Sequence, residues 1–155
     1  PKAICAAERL SALNSEITIR TYPTRLTEEN AQEIISQYDI VVDGCDNFST
    51  RYLINDICAE MGKVYVYGAI CGFEGQVSVF HYGEEKKSYR DLYPDEEEMR
   101  RMPPPPKGVM GITPAVTGSI EATEVLKIIC GFGEVLSGKL WTIDLRTLQS
   151  NKFSL

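Results

Sequence analysis

The chain has one histidine, one tryptophan, no C-x-x-C pair and no apolar run long enough to cross a bilayer. Each scarcity closes off a class of function. No signal peptide is visible either, so neither a membrane-spanning nor a secreted protein is indicated. The lone His81 follows a strand-like stretch and has no second imidazole with which to share a metal. It reads as a surface histidine rather than a ligand or base. Five cysteines (Cys5, Cys45, Cys58, Cys71, Cys130) are odd in number, widely spaced and mostly set in apolar patterns. That disfavours a thiolate zinc site and disulfides, and reduced thiols point to the cytoplasm. Positive charge is also short. Lys and Arg number 16 against 22 Asp and Glu, a net charge of −6, which argues against a chain-wide nucleic-acid footprint and leaves room for a basic partner. No G-x-x-x-x-G-K-[ST], G-x-S-x-G or H-E-x-x-H is present. Gly131-Phe132-Gly133 imitates a dinucleotide fingerprint, but it follows a helical pattern and Leu136 stands where the third glycine belongs. A helix C-cap and turn is the better account.

What is present is 155 residues of ordinary globular composition, enough for one domain or part of one. The sequence begins at Pro1 without Met and reads as an internal piece of a longer chain. Pro1 to about Asn14 carries a helical stripe of Ala6, Leu10 and Leu13. Lys2 falls on its first turn, an odd place for a cation unless it is aimed at an anion. Ile17 and Ile19 alternate with polar residues and predict a strand. Thr27 caps a helix with Glu28 and Glu29 in its first turn and Ala31, Ile34 and Ile35 on its buried side. A strand over Ile40-Val41-Val42 follows, then a helix from Phe48 with Tyr52, Leu53, Ile57 and Met61 as its apolar face and Gly62 as its stop.

Val64 to Tyr67 is another strand, and strand–helix–strand at these intervals implies parallel pairing. Gln76 to Phe80 alternates with no helix before it, so it is expected antiparallel. From Gly83 to Gly108 there is no clear period, which predicts a long crossover-type loop. It holds a charged turn at Glu84 to Lys87, a short helix from Asp95 to Arg101, and a stiff extended tract at Pro103 to Pro106. Thr113 is expected to cap a last helix from Pro114 to Cys130, well buried through Val116, Ile120, Val125, Leu126, Ile128 and Ile129. Leu140 to Ile143 and Asn151 to Phe153 close the chain as a hairpin.

The centre of this order is Val41-Val42-Asp43-Gly44-Cys45-Asp46-Asn47. In open α/β sheets, ligands sit beyond the carboxyl ends of strands, where helix N-termini also point. Asp46 and Asn47 fall where a phosphate or metal–phosphate would be met. Taken alone, Asp46 reads better as an N-cap carboxylate for the helix at Phe48, and only the whole string with its flanks raises the functional reading.

The string Asp43-Gly44-Cys45-Asp46-Asn47, followed by Arg51 and Asn55, resembles the D-x-x-D-N-x-x-x-R-x-x-x-N pattern of the ThiF/MoeB/HesA superfamily, the ubiquitin-activating-type adenylyltransferases. Other stretches keep the family's order. Pro1-Lys2 resembles the start of the helix that follows the family's first half. Gly68-Ala69 with Glu74-Gly75-Gln76-Val77-Ser78-Val79-Phe80 resembles its G-A…E-G-Q strand. Gly108-Val109 and Thr113 to Lys127 resemble the exit of its crossover loop and its long helix, and Gly138-Lys139-Leu140 with Asp144 its closing hairpin.

The resemblance implies an α/β fold across residues 1–155: a Rossmann-like mixed sheet, parallel strands first and antiparallel strands after, the C-terminal portion of a domain lacking its glycine-rich βαβ unit. It implies ATP-dependent adenylylation of the C-terminal glycine of a small ubiquitin-like sulfur-carrier protein in thiamin or molybdopterin synthesis, marginally closer to ThiF-like proteins. On that resemblance Asp46 holds Mg²⁺ on the phosphates, Lys2 pairs with them, Asn47 contacts the nucleotide, and Arg51 either holds the substrate tail or supports the motif. Homodimers are common in the family, and neither nucleic acid nor membrane is expected as a partner.

Three departures qualify the match. The family's glycine-rich loop, ribose-binding acid and arginines are absent, so this chain alone is expected to be inactive. The stretch equivalent to a frequent C-x-x-C is Ser88-Tyr89-Arg90-Asp91, which removes half of a structural zinc site, so no zinc is expected. Prolines 103–106 stand where many members have a cysteine, leaving a covalent thioester or persulfide step there without a nucleophile; Cys45 and Cys71 read as structural. A rival reading is a non-catalytic module that keeps the sheet and docks a carrier protein. An NAD-binding half is a second rival, but it would need a glycine fingerprint and an acid for the ribose, and neither is here.

Overall fold

Runs of β-branched and aromatic residues build a single sheet of order β1-β2-β3-β4-β5 in a computed structural model that describes residues 1–103 and 108–155. The strands are β1 (Ile40–Val42), β2 (Val64–Cys71), β3 (Glu74–Phe80), β4 (Lys139–Asp144) and β5 (Gln149–Ser154). The helices are α1 (Lys2–Leu13), α2 (Glu28–Ser36), α3 (Phe48–Met61), α4 (Tyr89–Leu92), α5 (Glu96–Arg101) and α6 (Ile112–Cys130). β1 and β2 run parallel, Ile40 opposite Val64, because α3 carries the chain back between them. Every later neighbour is antiparallel: Gly68 faces Val77, Gly75 faces Ile143, and Leu140 faces Phe153. The mixed sheet, parallel first, is the one the sequence predicts.

Period-two alternation gives the sheet two different faces. Tyr65, Tyr67 and Phe80 turn toward α3 and α4, where Tyr52 and Tyr89 meet them. The Tyr52 and Tyr89 rings stand edge-on with centroids 5.0 Å apart, and Tyr67 is 5.2 Å from Tyr89, arrangements that aromatic quadrupoles favour. Val66, Val77 and Val79 turn the other way, toward Leu136 and the half-buried Ile120, Val125 and Ile128 of α6.

Three helices depart from expectation in instructive ways. α6 starts two residues early, with Gly111 as its cap position. Thr113 lies inside the first turn, fully buried, and donates to the Gly72 carbonyl at 3.0 Å. Leu126 and Ile129 stand exposed, while Thr113, Thr117, Glu121 and Glu124 press on the sheet. This polar face is allowed by Gly68 and Gly75 opposite it. A Cβ at Gly68 would collide with the Glu121 carboxyl group, and one at Gly75 with Thr117 Oγ1. The helix therefore sits closer than an apolar contact would permit.

On α3, only Tyr52 of the expected face is fully buried; the innermost residues include the polar pair Arg51 and Asn55. α1 forms where predicted but buries none of its residues. Residues 17–20 form no strand. β1 has a ladder neighbour on one side only among the described residues, and without a ladder partner alternation alone cannot satisfy backbone groups.

The stretch from Gly83 to Gly108 is more ordered than its composition indicates. Ser88 and Asp91 close a capping box on α4, and Asp95 caps α5. Arg90 grips Asp56 of α3 with two bonds (2.8 and 2.6 Å), reaches Glu96 at 2.9 Å, and lies over the Tyr52 ring at 4.9 Å. His81 is half-buried rather than free on the surface. Its Nε2 sits 3.0 Å from Asn55 Oδ1, which also accepts the Tyr89 amide at 2.8 Å. Burial pushes the imidazole pKa down, against the pull of that hydrogen bond. Pro104 to Pro106 of the expected stiff tract lie outside the described residues.

Replacing Gly75 by Ala is expected to destabilise the fold by about 1–3 kcal/mol through overpacking. Thr117→Ala in the same chain should recover much of that loss, as read in a urea-unfolding double-mutant cycle. Additive losses would show that the two positions do not compete for space.

Candidate functional site

At the carboxyl end of β1 the chain must turn sharply from strand into α3, and Asp43 fixes the turn. Its amide still bonds the Val66 carbonyl at 2.9 Å, extending the ladder by one residue. Its carboxylate is buried and fully engaged. Oδ1 accepts the Cys45 amide at 2.7 Å, while Oδ2 accepts Arg51 Nε at 2.8 Å and the Tyr65 hydroxyl at 3.0 Å. Arg51 reaches back from α3 to complete the brace. Its Nη2 donates to the Cys45 carbonyl at 2.6 Å and to the Gly68 carbonyl at 3.4 Å, and the guanidinium stands 5.7 Å from the Tyr67 ring centre. Burial is the largest single influence and opposes a charge here, but the Asp43 carboxylate together with Tyr67 and Tyr65 holds the Arg51 pKa above its ordinary value.

The turn is thus pinned at Asp43 and Cys45, and Gly44 and Asp46 face outward. The capping role considered for Asp46 belongs to Asn47. Asn47 Oδ1 accepts the Thr50 amide at 2.9 Å, and its Nδ2 donates to Asp46 Oδ1 at 3.2 Å. The Asp46 carboxylate is exposed, oriented by Asn47 and paired with no cation among the described residues. Asp46, Asn47 and Arg51 are therefore brought together, with Arg51 inside the turn as its support. Lys2 is not joined to them. It stands exposed on the first turn of α1, and no hydrogen bond or ion pair links it to the turn among the described residues.

The thiols sort differently from the sequence reading. Cys5, Cys71 and Cys130 are exposed and only Cys58 is fully buried. Cys45 is half-buried, and burial together with the Asp43 charge pushes its thiol up to about 12. Burial does the same to Cys58, also to about 12. A thiol held there is a poor nucleophile at neutral pH.

Two contributors escaped the sequence reading. Tyr65 was taken for strand filling, yet its hydroxyl completes the Asp43 shell. Glu121 was lost inside the long helix; it lies nine-tenths buried over Gly68, whose carbonyl Arg51 also contacts. A glycine in each of two adjacent strands, opposite a helix with polar residues at i, i+4 and i+8, was the available signal.

Among the described residues no three His, Cys, Asp or Glu side chains converge. A cage made of protein ligands alone is not offered. A free outward carboxylate at the start of a helix fits the other habit of Mg²⁺, one or two carboxylates with the remaining positions filled by water and phosphate oxygens.

The ThiF family model matches the chain from residue 1 to 155. The chain belongs to the ThiF family. A probable molybdopterin-synthase adenylyltransferase of Pyropia yezoensis is 44% identical over 156 residues, covering 99% of this chain and 41% of that protein. A sulfur carrier protein adenylyltransferase of Thermus thermophilus is 47% identical over 156 residues, covering 93% of this chain and 55% of that protein. The chain thus spans about half the length of the curated relatives it matches. In fold it is similar to the crystal structure of E. coli MccB with ATP, with a TM-score of 0.79 at 18% identity, covering 99% of this chain and 47% of that one. The ThiF-family D-x-x-D-N-x-x-x-R string is thus a physical unit: the first acid and the arginine are a buried brace that holds the second acid outward.

Arg51→Met should cost about 3–5 kcal/mol of unfolding free energy, because it strands the buried Asp43 charge. Adding Asp43→Asn should recover part of this; a loss under about 1 kcal/mol for the single variant would refute the brace. At pH 8, maleimide should label Cys5, Cys71 and Cys130 of the folded protein and spare Cys45 and Cys58. Fast labelling of Cys45 would contradict its raised pKa.

Proposed function

We propose that the protein containing this chain uses Mg-ATP to adenylylate the C-terminal carboxylate of a small sulfur-carrier protein, giving an acyl-adenylate and pyrophosphate. The observation that carries the reading is the free Asp46 carboxylate, held outward at the start of α3 by the Asp43–Arg51 brace. Family membership and the names of relatives at 44% and 47% identity support it. One of those names also favours a molybdopterin-type carrier over a thiamin-type one.

The chemical problem is that two anions must meet, a carboxylate and a triphosphate, and most of the acceleration comes from positioning and charge stabilisation. Asp46 would hold Mg²⁺, which when bound neutralises phosphate charge. Asn47 orients Asp46 through Nδ2 while its carbonyl stays committed to the helix cap. Lys2 would supply a second cation for the phosphates. Because α1 buries nothing in this structure, its seating depends on contacts beyond these residues. Arg51 serves the turn. The nucleotide cradle lies on the other half of the domain, so the isolated chain is expected to be inactive, and the working form is taken to be a homodimer. The free edge of Lys2 and α1 favours one alternative, a carrier-docking module without catalysis, which would not bind nucleotide in the full-length protein.

The full-length protein should exchange labelled pyrophosphate into ATP only when its carrier is present. Asp46→Ala should lower that exchange by about 100-fold or more, with unchanged unfolding behaviour. Exchange that survives the substitution would remove Asp46 from the metal site.

A further inference from the structure

Among the described residues, Glu121 is the one buried acid near the turn that the proposed chemistry does not use. Its side chain enters from α6, on the side of the sheet opposite α3, and is 7% exposed. The carboxyl group occupies the space a side chain at Gly68 would take. Oε1 has no hydrogen-bond partner, and one turn earlier on the same face Thr117 Oγ1 is also buried without one. An unpartnered acid in such a place is costly and gives little structural return.

The groups facing it are few. β2 and β3 present Val66, Gly68, Gly75 and Val77 toward α6, none of them titratable. Asp43 beyond the end of β1 and Arg51 of α3 are the charges that act on it. On its own helix, Glu124 is compensated by Lys127 and by the Leu136 amide. Gly68 is the physical link: Glu121 packs on its Cα side, and its carbonyl accepts Arg51 Nη2.

We propose that Glu121 is a positioning residue for the Asp46 turn, acting through Gly68 and Arg51 as a second acid that competes with Asp43 for the single buried guanidinium. When Glu121 is neutral, Arg51 belongs to Asp43 and the Cys45 carbonyl, and the turn is tight. When it ionises, two carboxylates share one cation, and the hold on Cys45 slackens. Burial foremost, then the Asp43 charge, raise its pKa from 4.5 to about 7, with Arg51 opposing. The sign follows: the neutral form's contribution to stability is complete below pH 4.5 and is lost as pH rises through about 7. The exchange between the two states then falls in the physiological range.

The part of the proposal that concerns chemistry rests on the adenylylation reading; the coupling itself does not. The test uses the full-length protein with ¹⁵N-labelled arginine and cysteine, titrated from about pH 5 to pH 9. The Arg51 Nε–H and Cys45 amide signals should share one inflection near neutrality, and it should vanish in Glu121→Gln. Glu121→Met, of similar length and without a titratable group, should give the same loss if Gln disturbs the packing. Signals that stay flat in the wild type, or an inflection that persists in both variants, would overturn the coupling. Pyrophosphate exchange across the same range should lose activity on its alkaline side in the wild type and not in Glu121→Gln. Normal exchange with identical pH profiles would overturn the positioning role. Absent exchange in every form, with a Glu121-dependent inflection, would sink the adenylylation reading and leave the coupling standing.

Discussion

A buried ion pair governs this chain. Asp43 and Arg51 are eight positions apart, yet between them they close the ladder end, the first turn of α3 and the backbone of Cys45 and Gly68. A buried pair of this kind contributes little net stability against an apolar alternative, since desolvation consumes most of the attraction. What it contributes is definition. Both Asp43 oxygens, the Tyr65 hydroxyl, and Arg51 Nε and Nη2 have assigned partners, which gives the turn one low-energy geometry. Asp46 is placed by the turn and by the side-chain amide of Asn47, and with no cation paired to it among the described residues its charge stays available.

The segment leading from β3 toward α6 shows how the chain manages without metal-binding cysteines at Ser88 to Asp91. A capping box starts α4, Tyr89 fills the aromatic layer, and Arg90 ties α4 to Asp56 and Glu96 while covering the Tyr52 ring. Arg90 and Asp56 are both substantially solvated, so their ion pair is worth little by itself. The hold comes from combining it with the buried Tyr89 ring and the Asn55 side chain that accepts the Tyr89 amide. Asn55 is the hub, binding the loop through Tyr89 and the end of β3 through His81.

Much of the fold was readable because local signals agreed with the global pattern. Gly62 and Gly131 adopt the left-handed cap conformation their positions require, and Thr27 caps α2 through a box with Asn30. The parallel-then-antiparallel sheet follows from where helices separate strands. The misreadings share a cause: an apolar period predicts which side chains prefer burial, not which the neighbours leave room for. Gly68 and Gly75 bring α6 so near that Thr117 and Glu121 fit where Leu126 would not. At the site, the Asp46-Asn47 pair was legible from its place after a strand. The division of labour was not, because whether Asn47 or Asp46 caps α3, and whether Arg51 faces in or out, depends on Asp43 and Tyr65 meeting in space. The strand expected at residues 17–20 failed for want of a ladder, information no alternation contains.

The free side of β1 has a further consequence. The strand is only three residues long, but its outer edge has no ladder partner among the described residues, Val42 is half-exposed, and Tyr22, Leu26, Ile34 and Tyr38 line an apolar groove beside it. No lysine, proline or bulge blunts that edge. Uncovered, such an edge would present a sticky seam to any extended chain it met.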